Sequence, residues 1–442
     1  VSLERERLRP GVNAYIVPAF DRSALLFSFP VRISRDLGGG GSHQGGMDGA
    51  VAVAIEAIKA AATEPGASIR LDPLAGRGTA YPNRYGTAVE PYTLIASPKA
   101  IGAGLFRAGS GNQADPGGIS LVLTGALPHS SPESPAAVRG VKESLAALAV
   151  AVGEVVRGIP DRALEAGRIA SLDQKSLRES LPSLGLVALV GDGSRPARTY
   201  TRLRCHYRVA GPMHDGHVPF RCPPGLDPVE VELPASGRTL TGLGIRRGEV
   251  IAIAGSNAEG KSTLLSAILS GVDDHLPGDG REGIVTVHDP VFAEAGSHAH
   301  HADDLSLFFG RLPPGLSGTP RSASGPGSGS TTMAEQISRA VSRRAPLLAF
   351  DEDRSAVNLL VPSSLTAPGV TPLSTILATD RKRLRDTAVV FTAGALDLLV
   401  AEADRILVLE GFRAGSVSRR EFRRRLTGSL KDVVARLELD DP

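Results

Sequence analysis

Three stretches of the 442-residue chain predict an α/β fold with a parallel sheet in its second half. The first is the apolar run 250–254, which enters Gly255-Ser256-Asn257-Ala258-Glu259-Gly260-Lys261-Ser262 and continues through Thr263 as an apolar helix to residue 269. The second is Leu347-Leu348-Ala349-Phe350, which delivers the acidic pair Asp351-Glu352. The third is the closing order of apolar strand 389–391, helix 396–401 and strand 403–410. Strands and helices alternating in this way build a parallel sheet, and ligands bind such sheets at the carboxyl ends of the strands.

The length exceeds what one ordinary core serves, and 42% hydrophobic residues suffice for globular folding. We divide the chain into an N-terminal α+β domain over 1–225, a nucleotide-binding domain over 226–412 and a basic tail over 413–442. No uncharged apolar stretch reaches the length of a membrane span, so no integral membrane segment is expected. Residues 1–10 are charged and lack the apolar centre of a signal peptide. Two cysteines, Cys205 and Cys222, suit a reducing compartment, so the expected location is cytoplasmic. A formal charge of +2 gives no net-charge argument for a polyanionic partner.

In order along the first half, residues 25–33 read as strand, 49–62 as an alanine-rich helix and 119–124 as a second strand. Residues 134–156 and 161–181 read as helices, and 186–190 as a short buried strand. The glycine run at 38–46 reads as a loop, because it lacks the GK[ST] ending that phosphate binding requires. The stretch 107–118 carries Asn112 where such an ending needs lysine. Pro223-Pro224-Gly225 marks a boundary before strand 229–233. Cys205, His206, His214, His217 and Cys222 are of zinc-binding type but lack a CxxC pair or finger spacing, so scattered polar or buried residues are the expected reading.

The GxxxxGKS loop at 255–262 carries the chemistry. Its glycines let backbone N–H groups approach phosphate oxygens, and the following helix start favours negative charge. Lys261 then reaches the β- and γ-phosphates, Ser262 ligates Mg²⁺, and Gly255, Ser256, Asn257, Ala258, Glu259, Gly260 and Thr263 complete the cradle for ATP. His298, His300, His301, Asp303 and Asp304 downstream read as a solvent-exposed insertion, with metal binding the lesser alternative. Residues 316–330 are rich in glycine and serine and are expected to be irregular, with a helix over 331–341. Ser328-Gly329-Ser330, at that helix start, offers hydroxyls and N–H groups to a γ-phosphate. Asp351 is placed to hold the Mg²⁺ shell and Glu352 to orient or deprotonate the attacking water.

Ser328 precedes Asp351 by 23 residues, and this register, with Ile337-Ser338-Arg339-Ala340-Val341 between, resembles the signature helix and acidic strand of ABC-type ATPases. Asp351-Glu352-Asp353-Arg354-Ser355-Ala356-Val357-Asn358 resembles their Asp-Glu-Pro-Thr-Ser-Ala-Leu-Asp run. Over about 165–412 the chain is similar to a family of soluble ABC-class ATPases, through Leu177-Arg178-Glu179-Ser180-Leu181, Gly191-Asp192-Gly193-Ser194, Val218-Pro219-Phe220 and His275-Leu276-Pro277-Gly278-Asp279-Gly280-Arg281-Glu282. The first 160 residues carry little of that resemblance.

The likeness implies an ABC-type P-loop NTPase domain with an N-terminal α+β domain. It further implies a homodimer in which Ser328-Gly329-Ser330 of one copy closes over the γ-phosphate held by another. Val389-Val390-Phe391-Thr392-Ala393-Gly394-Ala395 lacks the histidine of ordinary ABC ATPases, and Glu259 adds negative charge to the loop, so slow hydrolysis is expected. The arginine-rich tail, including Arg419, Arg420, Arg423, Arg424 and Arg425, reads either as a footprint for RNA or DNA or as a solvated helix face. A nucleotide-gated scaffold and the energising subunit of a transporter are the competing functions; the latter calls for a glutamine loop that is missing.

Overall fold

The computed structural model describes residues 15–18, 24–37, 46–62, 64, 66–69, 71–72, 93–95, 105–106, 112–128, 134–200, 207–209, 218–365 and 369–439. The glycine run at 38–45, residues 107–111, and Cys205, His206, His214 and His217 lie outside them.

The first half holds a mixed sheet of β1 (Tyr15–Pro18), β2 (Ala24–Ser34), β3 (Leu71–Asp72), β4 (Thr93–Ile95), β5 (Gln113–Asp115) and β6 (Gly118–Pro128). The strands run in the order β1-β2-β6-β4-β3, with β5 also on β6. Its spine is the antiparallel pair β2–β6, in register from Ala24 opposite Pro128 to Ser34 opposite Gly118. Phe27, Ile33, Ile119, Leu121 and Leu123 from this pair pack with Ile55 and Ile58 of α1 (Met47–Ala61) and Leu148, Val152 and Val156 of α2 (Pro135–Arg157). Ser134 starts α2 by accepting from the Ala137 N–H at 3.1 Å, and Pro135 supplies the first helical φ.

After α3 (Asp161–Ser180), β7 (Leu186–Gly191) joins an antiparallel sheet with β8 (Val229–Leu233), β9 (Arg238–Arg246) and β11 (Ile284–Thr286) in the order β8-β9-β7-β11. A strand that precedes residue 225 is therefore hydrogen-bonded to strands that follow it. The main sheet consists of β10 (Val250–Gly255), β12 (Val291–Phe292), β13 (Leu347–Phe350), β14 (Ala388–Ala393), β15 (Arg405–Glu410) and β16 (Arg413–Val417), ordered β12-β13-β14-β10-β15-β16. All neighbours pair in parallel except β15–β16.

Both faces of this sheet are covered, which explains why its central strands read as unbroken apolar runs rather than alternating ones. Val250, Ala252, Leu348, Phe350, Val389 and Phe391 enter one core, and Ile251, Ile253, Leu347, Ala349, Ala388 and Val390 the other. Phe350 and Phe391 stack across β13–β14 with centroids 5.4 Å apart. Burial contributes roughly 1.5–3 kcal/mol per large apolar side chain, so this double core holds the strand ends that form the site.

Residues 316–330, expected to be irregular, instead carry two strands, Ser317–Thr319 and Ser322–Pro326, which form a three-stranded sheet with Ala299–Asp303. Glycine and serine hide the apolar alternation by which strands are read, while backbone pairing persists. The tail forms α6 (Arg419–Leu439), whose first turns dock through Arg419 and Arg423 onto the Ala401 carbonyl and Glu402; its distal turns are exposed.

Candidate nucleotide site

The loop between β10 and α4 (Lys261–Ser270) needs backbone that most residues resist. Gly255 has φ 146° and Gly260 φ 88°, and a β-carbon on Gly255 would lie 2.5 Å from the Leu409 carbonyl oxygen. Ala258 also adopts a left-handed φ of 65°, a conformation that non-glycine residues rarely accept and that marks a shaped loop. Lys261 donates to the carbonyls of Gly255 (2.8 Å) and Ser256 (2.7 Å), which lays its ammonium across the loop it serves. Ser256, Asn257, Ala258, Ser262 and Thr263 are exposed, while Leu264, Leu265, Ala267 and Ile268 bury the inner face of α4.

At the end of β13, Asp351 is buried and its Oδ1 accepts from the Thr392 hydroxyl at 2.6 Å. Thr392 Oγ1 also accepts the Glu352 N–H at 2.9 Å, so one buried residue of β14 holds the Asp351 carboxylate and the Glu352 backbone. The Glu352 side chain takes the backbone amide of Gly394 and, at 3.1 and 3.3 Å, that of Ala395. The position a β-carbon would take on Gly394 lies 3.4 Å from Glu352 Oε2, 3.7 Å from Asn257 Oδ1 and 3.7 Å from Lys261 Nζ. A carboxylate, a carboxamide and an ammonium from separate elements thus converge on one point beside glycine.

The Glu259 carboxylate, expected to burden the loop with negative charge, accepts the Phe412 N–H at 3.2 Å, an interaction with the β15–β16 turn. Ser328 caps α5 (Gly329–Ser342) in a capping box with Thr331, one residue pair earlier than the sequence placed the helix. Gly329 begins α5, and the Ser330 hydroxyl donates to Asn358 Oδ1 at 2.8 Å, tying the turn to the segment after Glu352.

Ser262 and Asp351 supply hard oxygen donors of the kind Mg²⁺ takes. The sequence singles out 389–395 for its missing histidine but not the roles of Thr392, Gly394 and Ala395, because two of them act through backbone amides and all lie about forty residues from Glu352. Among the described residues, no group of three or more His, Cys, Asp and Glu side chains is arranged to hold a metal ion. His300 bonds Asp303 and Thr331 instead. Burial, with the Asp192 carboxylate adding to it, pushes the Cys222 thiol up to about 11.

These features define a P-loop nucleotide site at the carboxyl ends of parallel strands. A family model for the ABC ATPase P-loop domain matches residues 160–435. The chain belongs to the ABC-type P-loop ATPase family. An uncharacterized protein of Methanocaldococcus jannaschii is 39% identical over 388 residues, covering 87% of this chain and 83% of that one. That alignment is long enough to reach well into the first 160 residues, where the sequence reading found little resemblance.

Solved structures with similarity include cbiO1 from Clostridium perfringens, part of the ABC transporter complex cbiONQ, at 19% identity over 48% of this chain and 95% of that one, TM-score 0.29. A bacterial Atm1-family ABC exporter with ATP bound is 14% identical, over 69% of this chain and 51% of that one, TM-score 0.30. No helix among the described residues is long and apolar enough to cross a membrane.

Proposed function

We propose that the chain binds ATP and hydrolyses it slowly, and that two copies close around the nucleotide so that hydrolysis drives a conformational change. The observation that carries this reading is the convergence of Lys261, Asn257 and Glu352 on the space beside Gly394. In that reading the loop 255–263 cradles the phosphates and Lys261 turns from its carbonyl partners onto the β- and γ-phosphates. Ser262 and Asp351 would hold Mg²⁺, which neutralises phosphate charge. Glu352 accepts a proton from, or orients, the attacking water. Ser328-Gly329-Ser330 faces a second copy, and loss of the γ-phosphate removes the contact that holds the copies together.

Two substitutions test this. Lys261→Ala is expected to abolish nucleotide binding at concentrations that saturate the parent, read by calorimetric titration. Glu352→Gln is expected to bind ATP and persist as a dimer that the parent forms only transiently, read by size and light scattering. Unchanged affinity in the first variant, or a Glu352→Gln chain that stays monomeric with ATP, overturns the reading.

The exposed arginines of α6 favour a second reading in which the partner moved is RNA or DNA. Arg420 and Arg424 are exposed and one helical turn apart, away from the Glu402 contacts. Nucleic-acid stimulation of turnover that survives their joint change to glutamate excludes this face as the footprint.

A further inference from the structure

We propose that His300 is a positioning residue for the Ser328 turn, the part of the site offered to a second copy of the chain. This rests on the two-copy reading above. Its ring is buried, with Nδ1 3.0 Å from Asp303 Oδ2 and Nε2 2.9 Å from Thr331 Oγ1. A carboxylate only accepts, so Nδ1–H donates to Asp303, and Nε2 faces the Thr331 hydroxyl. Thr331 Oγ1 in turn accepts the Ser328 N–H at 2.8 Å. The relay Asp303–His300–Thr331–Ser328 therefore fixes the backbone of Ser328 from beneath.

The Ser328 hydroxyl itself makes only long contacts, to the Thr331 N–H at 3.5 Å and the Thr331 hydroxyl at 3.3 Å, and Ser328 is exposed. A firmly held backbone on an exposed residue whose hydroxyl makes only long contacts lets a serine turn to an incoming phosphate with little reorganisation. The inserted sheet brings the relay into place. His300 stands opposite Gly325 in the strand pair that leads through Gly327 into Ser328. A β-carbon on Gly327 would lie 2.2 Å from the His298 carbonyl oxygen and 3.1 Å from His300 Nε2, so the chain passes over the imidazole only because residue 327 is glycine. Of the histidines and acids that suggested a metal site, His300 and Asp303 thus act on the helix start.

The test uses the full chain in a Glu352→Gln background, comparing His300→Leu, which removes both ring nitrogens, with His300→Gln, which keeps a polar atom towards Thr331. Thr331→Val and Thr331→Ser provide a second pair at the next link. Two quantities are read: affinity of the single chain for Mg·ADP, and the ATP-dependent dimer dissociation constant by sedimentation. His300→Leu and Thr331→Val are expected to keep Mg·ADP affinity within about twofold while weakening the dimer about tenfold, as for loss of one buried hydrogen bond. His300→Gln and Thr331→Ser are expected to recover most of that loss. Dimers as tight as the parent's in both apolar variants overturn the proposal, as does a parallel loss of Mg·ADP affinity, which marks a general structural role. A background chain that never dimerises with ATP overturns the two-copy reading, and this proposal with it.

Discussion

Gly394 is the position at which the smallest change tests the site. Its missing β-carbon leaves open the space between Glu352 Oε2, Asn257 Oδ1 and Lys261 Nζ. Gly394→Ala keeps the amide that donates to Glu352 but adds a methyl group where the proposed mechanism brings water and the terminal phosphate together. We expect kcat to fall about tenfold or more, with Mg·ADP affinity little changed, in steady-state assays beside direct titration. Parent-like turnover would show that this space is not where the chemistry occurs. Thr392→Val tests the support beneath it: removing a buried hydroxyl that serves Asp351 and Glu352 is expected to cost about 1–3 kcal/mol in urea unfolding. The sequence made Lys261, Asp351 and Glu352 legible because each belongs to a contiguous motif. Gly394 and Ala395 were illegible because a donated backbone amide leaves no mark on residue type. Glu259 was read by its charge, whereas its orientation is set by the Phe412 amide.

Among the elements, a strong apolar pattern disclosed both the element and its surroundings, whereas polar contacts left the packing partner undisclosed. The unbroken runs in β10, β13 and β14 announced a sheet covered on both faces. Helix α3 is predicted at 161–181 and observed at Asp161–Ser180, but what it packs against was not legible, because its buried face is largely polar. Arg178 donates to Asp274 Oδ1 at 2.9 Å, to the Thr286 carbonyl at 3.1 Å and to the Gly271 carbonyl, at the end of α4, at 3.1 Å. Gln174 exchanges two hydrogen bonds with the backbone of His275, and Ser171 donates to Asp274 Oδ2 at 2.8 Å. Arg178→Met leaves the buried Asp274 carboxylate with Ser171 and a more distant Lys175, 3.9 Å away, and is expected to cost about 3 kcal/mol in chemical denaturation. Arg178→Met with Asp274→Leu is expected to be less destabilised than Arg178→Met alone, since no charge is then left unpaired. A double variant as unstable as the single one would locate the loss in packing rather than charge.

For the whole molecule, α3 joins the site to the first half of the chain. At one end Arg178 donates to the carbonyl that closes α4; at the other α3 crosses α1, where helix backbones touch. A β-carbon on Gly49 would lie 1.9 Å from the Gly167 carbonyl oxygen, and one on Gly46 2.3 Å from that of Arg168. The two-residue strands Leu105–Phe106 and Asp274–His275 add a second bridge. A division at residue 225 separates elements that pair, since β7 lies in the sheet of β8 and β9; local composition marks a Pro-Gly turn but carries no record of long-range strand pairing. Nucleotide binding stabilises the folded state by mass action, about 2.7 kcal/mol at a hundred times Kd, and in a chain coupled through α3 that gain reaches both halves. The parent is therefore expected to melt in one calorimetric transition that moves upward as a whole with Mg·ATP in the Glu352→Gln background. Gly49→Val forces α1 off α3 and is expected to split the transition, with only the upper part responding to nucleotide. If Gly49→Val still melts once and shifts as one, the halves communicate by another route; if the parent already melts twice, α3 does not couple them.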